Sequence, residues 1–135
     1  MTSSDPANTN NRIENSTIVG ASYLLTQTYA TTDNKFDASN VFTNCVVDGV
    51  GQYVYAGNPS PTIQYSNFSD SFAMPTGPGN TSEIPGFVDP DLGDYRLRDD
   101  SPIRTLGTSL DSVPSDKDGK ERTSPYSMGA HENDL

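Results

Sequence analysis

The sequence predicts an all-β protein, a right-handed parallel β-helix of about three coils followed by a C-terminal capping segment. Three observations lead to this class. A short apolar pattern recurs at unequal spacing in the first half of the chain. Only 32% of the residues are apolar, so any core must be narrow. Ser, Thr, Asn, Gly and Pro interrupt the chain often, which disfavours long helices.

The repeat becomes visible when runs beginning at Ile13, Phe42 and Ile63 are aligned, at offsets of 29 and 21 residues. Each run has a large apolar residue, a small residue, a second large apolar residue and then a turn former. These positions are Ile13, Ser16, Ile18 and Gly20, then Phe42, Cys45, Val47 and Gly49, then Ile63, Ser66, Phe68 and Asp70. Stacked coils place like residues above like and join their backbones by parallel hydrogen bonds. Unequal spacing fits insertions at coil corners, and chance similarity within a β-sandwich is the alternative.

The same pattern divides the chain into segments. Residues 1–11 are polar and are expected to be disordered or loosely docked. Residues 12–72 are predicted to form the coils, with two or three short strands in each. Residues 73–135 are predicted to be loop and capping segment, because an open coil end needs a polar cover. No such cover precedes the first coil, so we expect a fragment or a homo-oligomer that forms through the N-terminal coil.

The formal net charge of −10 limits the partners. Nucleic acid and anionic membrane surfaces are excluded, because both need clustered Lys and Arg. The simpler interpretation of the acidic charge is solubility, and the alternative is binding of Ca²⁺, which prefers carboxylate oxygens. The N-terminus is not a signal peptide, and no run is long enough to span a membrane. The lone Cys45 lies in an apolar run and is expected to be a small buried side chain.

The C-terminal region carries a series of short motifs. They are Phe87-Val88-Asp89-Pro90, Gly93-Asp94-Tyr95-Arg96-Leu97, Ser101-Pro102, Asp118-Gly119, Arg122 and Gly129-Ala130-His131-Glu132. Over about residues 84–132 their order resembles the C-terminal region of bacterial right-handed β-helix proteins of the pectate-lyase-like superfamily, many of which carry a choice-of-anchor sorting signal. The resemblance implies the fold and an extracellular or cell-surface location. It gives almost no information about catalytic or binding chemistry.

The tail departs from the family pattern at four positions. Arg104 stands where an apolar residue is usual, and Thr105 and Ser127 stand where aspartates are usual. His131 replaces a tyrosine. These changes weaken any polar contact transferred from the family. No anchor sequence follows Leu135, so surface attachment is not expected.

Four residues are the candidate ligand-binding set. Asp48 and Asp70 end successive coils and are expected to lie near each other, whereas Tyr53 and Tyr55 share one face of a strand. Tyr presents an apolar ring and a hydroxyl, which suits sugar stacking. Carboxylates suit Ca²⁺, which the family's polysaccharide lyases use together with a basic proton acceptor. The alternative is solvated corner carboxylates and ordinary packing of the tyrosines.

Other polar features have simpler interpretations. Asp116-Lys117-Asp118-Gly119 faintly resembles a calcium loop but lacks most of its ligands, so a turn is predicted, with Arg122 packing back on a carboxylate. The single histidine, His131, is expected to make a structural hydrogen bond. Asn15, Asn67 and Asn80 begin glycosylation sequons that are expected by chance in so Asn-rich a chain.

The function predicted from these features is a non-catalytic β-helix module that binds carbohydrate or a protein partner. One alternative is a fragment or subunit of a polysaccharide lyase or hydrolase. Another is a structural capping or assembly module. No catalytic residue and no resident metal are assigned, and Ca²⁺ is the only cofactor considered. The predicted function is based mainly on analogy with other proteins of the same fold.

Overall fold

The computed structural model describes residues 10–26, 38–55, 61–69 and 75–133, without the side chains of residues 23–26 and 52–55. These ranges contain short strands, one 3-10 helix and no α-helix. The strands are β1 (Arg12–Glu14), β2 (Thr17–Val19), β3 (Tyr23–Thr26), β4 (Val41–Thr43), β5 (Val46–Asp48), β6 (Gln52–Tyr55), β7 (Thr62–Gln64), β8 (Asn67–Phe68), β9 (Phe87–Asp89) and β10 (Asp94–Leu97). The 3-10 helix is Pro90–Leu92. The predicted all-β class is confirmed.

The first eight strands form parallel sheets that repeat along the chain. One sheet has the order β1-β4-β7, a second has the order β2-β5-β8, and β3 pairs with β6. We call β1–β3 layer 1, β4–β6 layer 2 and β7–β8 layer 3. Successive strands of each sheet come from successive layers, so each layer's strands lie beside those of the next. A β-sandwich would instead pair its strands antiparallel.

The register of these sheets is the one that the repeat predicted. Ile13 pairs with Phe42, and Phe42 pairs with Ile63. Ile18 pairs with Val47 in the second sheet, and Val47 pairs with Phe68. Like residues are therefore aligned across the three layers.

The aligned apolar side chains form an inner core. Its buried members are Phe42, Cys45, Val47, Val50, Ile63 and Phe68, against which Ile13, Ile18 and Ala21 of layer 1 pack while staying partly exposed. Cys45 is fully buried, as predicted, and burial raises the pKa of its thiol to about 11. A chain with few apolar residues can thus enclose a dry centre.

Asparagine side chains link the corners of layers 1 and 2. Asn15 and Asn44 both have positive φ, a conformation that Asn tolerates better than most residues. The amide of Asn44 donates to the side-chain oxygen of Asn15 at 3.2 Å. The amide of Asn11 donates to Asn40 in the same way at 2.8 Å. These pairs satisfy buried polar groups and fix the stacking of the corners.

Residues 75–83 cover the outer side of layer 3. Tyr65 and Phe68 donate backbone hydrogen bonds to Pro78 and Thr81 at 2.8 and 2.9 Å. Thr81 also forms a parallel bridge with Asn67. This segment was expected to be loop, yet part of it extends the β2-β5-β8 sheet by one further bridge.

The C-terminal segment, residues 84–133, builds a second core on the flank of the sheets. This outer core contains Val46, Phe87, Leu97, Ile103 and Met128. β9 and β10 pair antiparallel, and the rings of Phe87 and Tyr95 meet edge to face at 5.3 Å. Within β10, Leu97 is buried and its neighbour Arg96 is exposed, as expected for a strand with one face toward a core.

This segment contacts the flank of all three layers, because Tyr65 of layer 3 also packs against the outer core. The amide of Gly129 donates to the carbonyl of Asn44 at 2.7 Å, and the amide of Ala130 donates to the hydroxyl of Thr17 at 3.0 Å. Val46 contacts the segment from the outward face of β5. Residues 75–83 thus cover layer 3 and residues 84–133 lie on the flank, so a capping role for the whole of residues 73–135 stays a prediction.

Candidate functional site

A polar depression of about 540 Å³ lies between β10 and the turn at residues 116–120. Its lining mixes cationic and anionic side chains, among them Arg96, Lys120, Asp116, Asp118 and His131. Concave surfaces that combine apolar area with a few convergent polar groups are where ligands most often bind.

Asp116 organises the turn that forms one wall of the depression. One carboxylate oxygen accepts hydrogen bonds from the amides of Asp118 and Lys120, each at 2.9 Å. The other accepts from the amide of Glu132, also at 2.9 Å. Burial opposes ionisation of this carboxyl, but the three amide donors and the Arg122 charge outweigh it, so the pKa of Asp116 lies below its ordinary value. The predicted turn at residues 116–119 is confirmed.

Asp118 and His131 complete a group of three possible metal ligands. One ligand atom from each, together with one from Asp116, lie within 4.8 Å of one another. The Nδ1 atom of His131 lies 3.1 Å from a carboxylate oxygen of Asp118, and the ammonium of Lys117 lies 3.1 Å from the other oxygen. The donor set suits a divalent cation in type. The protein's own N–H and ammonium groups also engage both carboxylates, and these contacts hold the turn together.

A buried ion pair stands behind this turn. Arg122 and Glu132 approach to 3.1 Å, and each side chain is only 1% exposed. Glu132 also accepts from the amide and hydroxyl of Ser127, and Arg122 donates to the carbonyl of Gly129 at 3.1 Å. The guanidinium lies 5.8 Å from the ring centroid of Tyr126. The prediction that Arg122 packs on a carboxylate is confirmed.

The sequence alone did not identify Glu132 as that carboxylate. The only indication was its place at the end of the Gly-Ala-His-Glu motif. Its partner is ten residues away in sequence, across a turn-rich stretch with no regular period. A pairing of this kind follows from tertiary packing, which periodicity does not report.

Of the four predicted ligand-binding residues, Asp48 is the one whose side chain is described. It ends β5 and accepts a hydrogen bond from the hydroxyl of Ser69 in the next layer. Tyr53 and Tyr55 lie in β6, which pairs with β3, but their side chains fall outside the description. Asp70 also lies outside the described residues. The proposed grouping of these four stays a prediction.

The three sequon asparagines are structural in this fold. The side-chain amide nitrogens of Asn15, Asn67 and Asn80 donate to main-chain carbonyls at 3.2, 2.9 and 3.0 Å. Asn15 is 6% exposed and Asn67 is fully buried. The nitrogen that would carry a glycan is therefore committed to the fold at each position.

Comparison with known proteins identifies no family. No protein-family model matches the sequence, and neither a curated protein nor a solved structure shows significant similarity to the chain. Within the described ranges, no helix has both the length and the apolar character needed to cross a bilayer.

Proposed function

We propose that this chain is a non-catalytic, right-handed parallel β-helix module that ends a stack of coils and binds a protein partner through its first coil. The observation that carries the proposal is the difference between the two sides of the stack. The strands of layer 3 are covered by a dedicated segment. Those of layer 1 are edge strands with half-buried apolar side chains beneath them.

The covered side is held by hydrogen bonds and by close backbone approach. The side chain of Asn80 accepts from the amide of Ser66 at 3.1 Å and donates to the carbonyl of Ile63 at 3.0 Å. Gly77 approaches the same carbonyl so closely that an added Cβ would lie 1.9 Å from its oxygen. Several outward polar groups of the layer 3 edge are therefore paired with this segment, as suits the end of a β stack.

The other side lacks such a cover within the described residues. There, β1 and β2 each pair with one strand only, on their layer 2 side. Ile13 and Ile18 are partly exposed, whereas Phe42 and Val47 beside them are 1% and 0% exposed. We call the unpaired side of β1 and β2 the open edge. As far as the described residues show, its backbone groups pair with no further strand and lie beside apolar surface, the combination that recruits another strand by β-augmentation.

A protein partner is favoured over carbohydrate because the structure describes the residues of the open edge, whereas it does not describe Asp70 or the side chains of Tyr53 and Tyr55. Carbohydrate binding through Tyr53 and Tyr55, with or without Ca²⁺ at Asp48 and Asp70, stays a prediction. It would be tested on a glycan array with the wild type and the Tyr53→Ala/Tyr55→Ala double variant. The pectate-lyase-like relationship and the extracellular or cell-surface location belong to the same proposal and are supported by the tail motifs at residues 84–132 alone.

Hydrogen exchange tests the open edge directly. In dilute solution, amides of β1 and β2 that point away from layer 2 should exchange much faster than those of β4 and β5, which lie between two strands. Equal protection in both layers would mean that the edge is covered within the chain, and the proposal would fail. The stack of layers would still stand.

A separate assay tests the absence of catalysis. Polygalacturonate is incubated with the protein, with and without Ca²⁺, and absorbance from unsaturated uronate ends is followed. No rise is expected. A Ca²⁺-dependent rise that a mock purification does not give would favour the lyase alternative and contradict the non-catalytic assignment.

A further inference from the structure

We propose that the partner at the open edge is a second copy of this chain, with β1 pairing antiparallel to β1 of that copy about Ile13. This inference rests on the proposed function and names the partner. The two copies would be related by a two-fold axis, the commonest symmetry of protein dimers. Three features of β1 support this arrangement.

The first feature is charge self-complementarity. β1 reads Arg12-Ile13-Glu14, with its basic residue first and its acidic residue last. In an antiparallel pair centred on Ile13, Arg12 of each copy lies opposite Glu14 of the other. Opposite charges at directly facing positions stabilise antiparallel strands, and like charges there destabilise them. The side chain of Arg12 is 61% exposed and lies 2.8 Å from its own Glu14, so the charges already sit together at the edge.

The second feature is the direction of the backbone groups. The carbonyl of Asn11 accepts from Val41, and the amide of Asn15 donates to Thr43, each at 2.9 Å. Backbone groups alternate in direction along a strand, so those of Arg12 and Glu14 point away from layer 2. The carbonyl of Glu14 accepts the hydroxyl of Ser16 at 3.0 Å and keeps a second lone pair. These are the groups that an antiparallel neighbour requires.

The third feature is the inner core. Ile13 pairs with Phe42, so its side chain belongs to the column of apolar residues that ends at the open edge. The two-fold axis would bring the partly exposed Ile13 side chains of both copies together. Removing this apolar surface from water favours association. The net charge of −10 on each copy opposes it.

The test uses two charge variants and their mixture. Arg12→Glu gives an edge with two acidic residues, and Glu14→Arg gives an edge with two basic residues. Each variant alone would place like charges opposite each other, so its dimer should be at least about tenfold weaker than that of the wild type. An equimolar mixture should form a heterodimer, because every facing pair is then opposite in sign. Neither variant keeps the internal Arg12–Glu14 ion pair, so restored internal pairing cannot explain recovery in the mixture.

Sedimentation equilibrium over a wide concentration range provides the measurement, with circular dichroism as the check on folding. Ser112→Ala is the matched control, because the hydroxyl of Ser112 donates to Glu14 at 2.8 Å and is lost as a partner in Glu14→Arg. This control should dimerise like the wild type. A wild type that stays monomeric up to its solubility limit would overturn the dimer, as would a mixture that stays monomeric. Fast exchange at β1 in such a monomer would leave the open edge, and the proposed function, intact.

Discussion

Removing the carboxylate of Glu132 should destabilise the protein more than removing any exposed carboxylate. Its side chain is 1% exposed and accepts hydrogen bonds from Arg122 and Ser127. In Glu132→Ala the guanidinium of Arg122 stays buried without its counter-ion. Breaking a buried pair in this way costs about 3–5 kcal/mol. That is a large share of the roughly 5–15 kcal/mol by which domains of this size are stable.

Urea unfolding followed by circular dichroism measures this cost. Glu132→Ala should lower the urea midpoint strongly, and the exposed Glu121→Ala should serve as a control with little change. The double variant Arg122→Met/Glu132→Leu should recover at least about 2 kcal/mol relative to the sum of its single variants, because it leaves no unpaired buried charge. If Glu132→Ala lowers the free energy of unfolding by less than about 1 kcal/mol, the reasoning is refuted, because breaking a desolvated ion pair should have a larger effect.

Three further predictions concern the layers and the turn. Gly77→Ala should lower the free energy of unfolding in urea by about 2 kcal/mol or more, because its Cβ would meet the carbonyl of Ile63 at 1.9 Å. The control Gly119→Ala has positive φ but lies in open space, so it should lower the free energy of unfolding by about 1 kcal/mol. Because the pKa of Asp116 is lower in the folded state than in the unfolded state, its ionised carboxylate stabilises the fold at pH values above the ordinary carboxyl pKa. This stabilisation is lost as the pH falls toward the lowered pKa. Asp116→Asn lacks it, so the urea midpoint of this variant should fall less between neutral and acidic pH than that of the wild type. The buried thiol of Cys45 should react with Ellman's reagent only on unfolding, and fast labelling of the native protein would contradict its burial.

The part of the fold that the sequence predicts best is the register of the layers. Ile13, Phe42 and Ile63 were aligned from their spacing to a small residue and a turn former, and the sheets pair them as aligned. This works because a strand's side chains alternate with a period of two, so a one-residue slip would move every apolar residue to the wrong face. The apolar positions of these strands are therefore tightly constrained, and the constraint is visible as a pattern in the sequence.

The candidate site is less visible in the sequence. Asp116 and Arg122 could be assigned a turn and a carboxylate partner from local rules, since an Asp accepting amides two and four residues later is local geometry. Contacts such as that between the amide of Asn15 and the carbonyl of Ser127 join residues 112 positions apart. No short-range pattern encodes these contacts, because they depend on how a long irregular segment packs against the sheets.

The central strand β5 shows why the C-terminal segment matters to a chain so poor in apolar residues. Val47 faces the inner core, and Val46, its neighbour in sequence, faces the outer core; both are 0% exposed. Simple alternation would place Val46 in solvent, where an apolar residue gains nothing. Because residues 84–133 bury that second face, one short strand contributes to two cores. The chain itself thereby covers this flank of the layers, and the open edge is one described place where another strand can add.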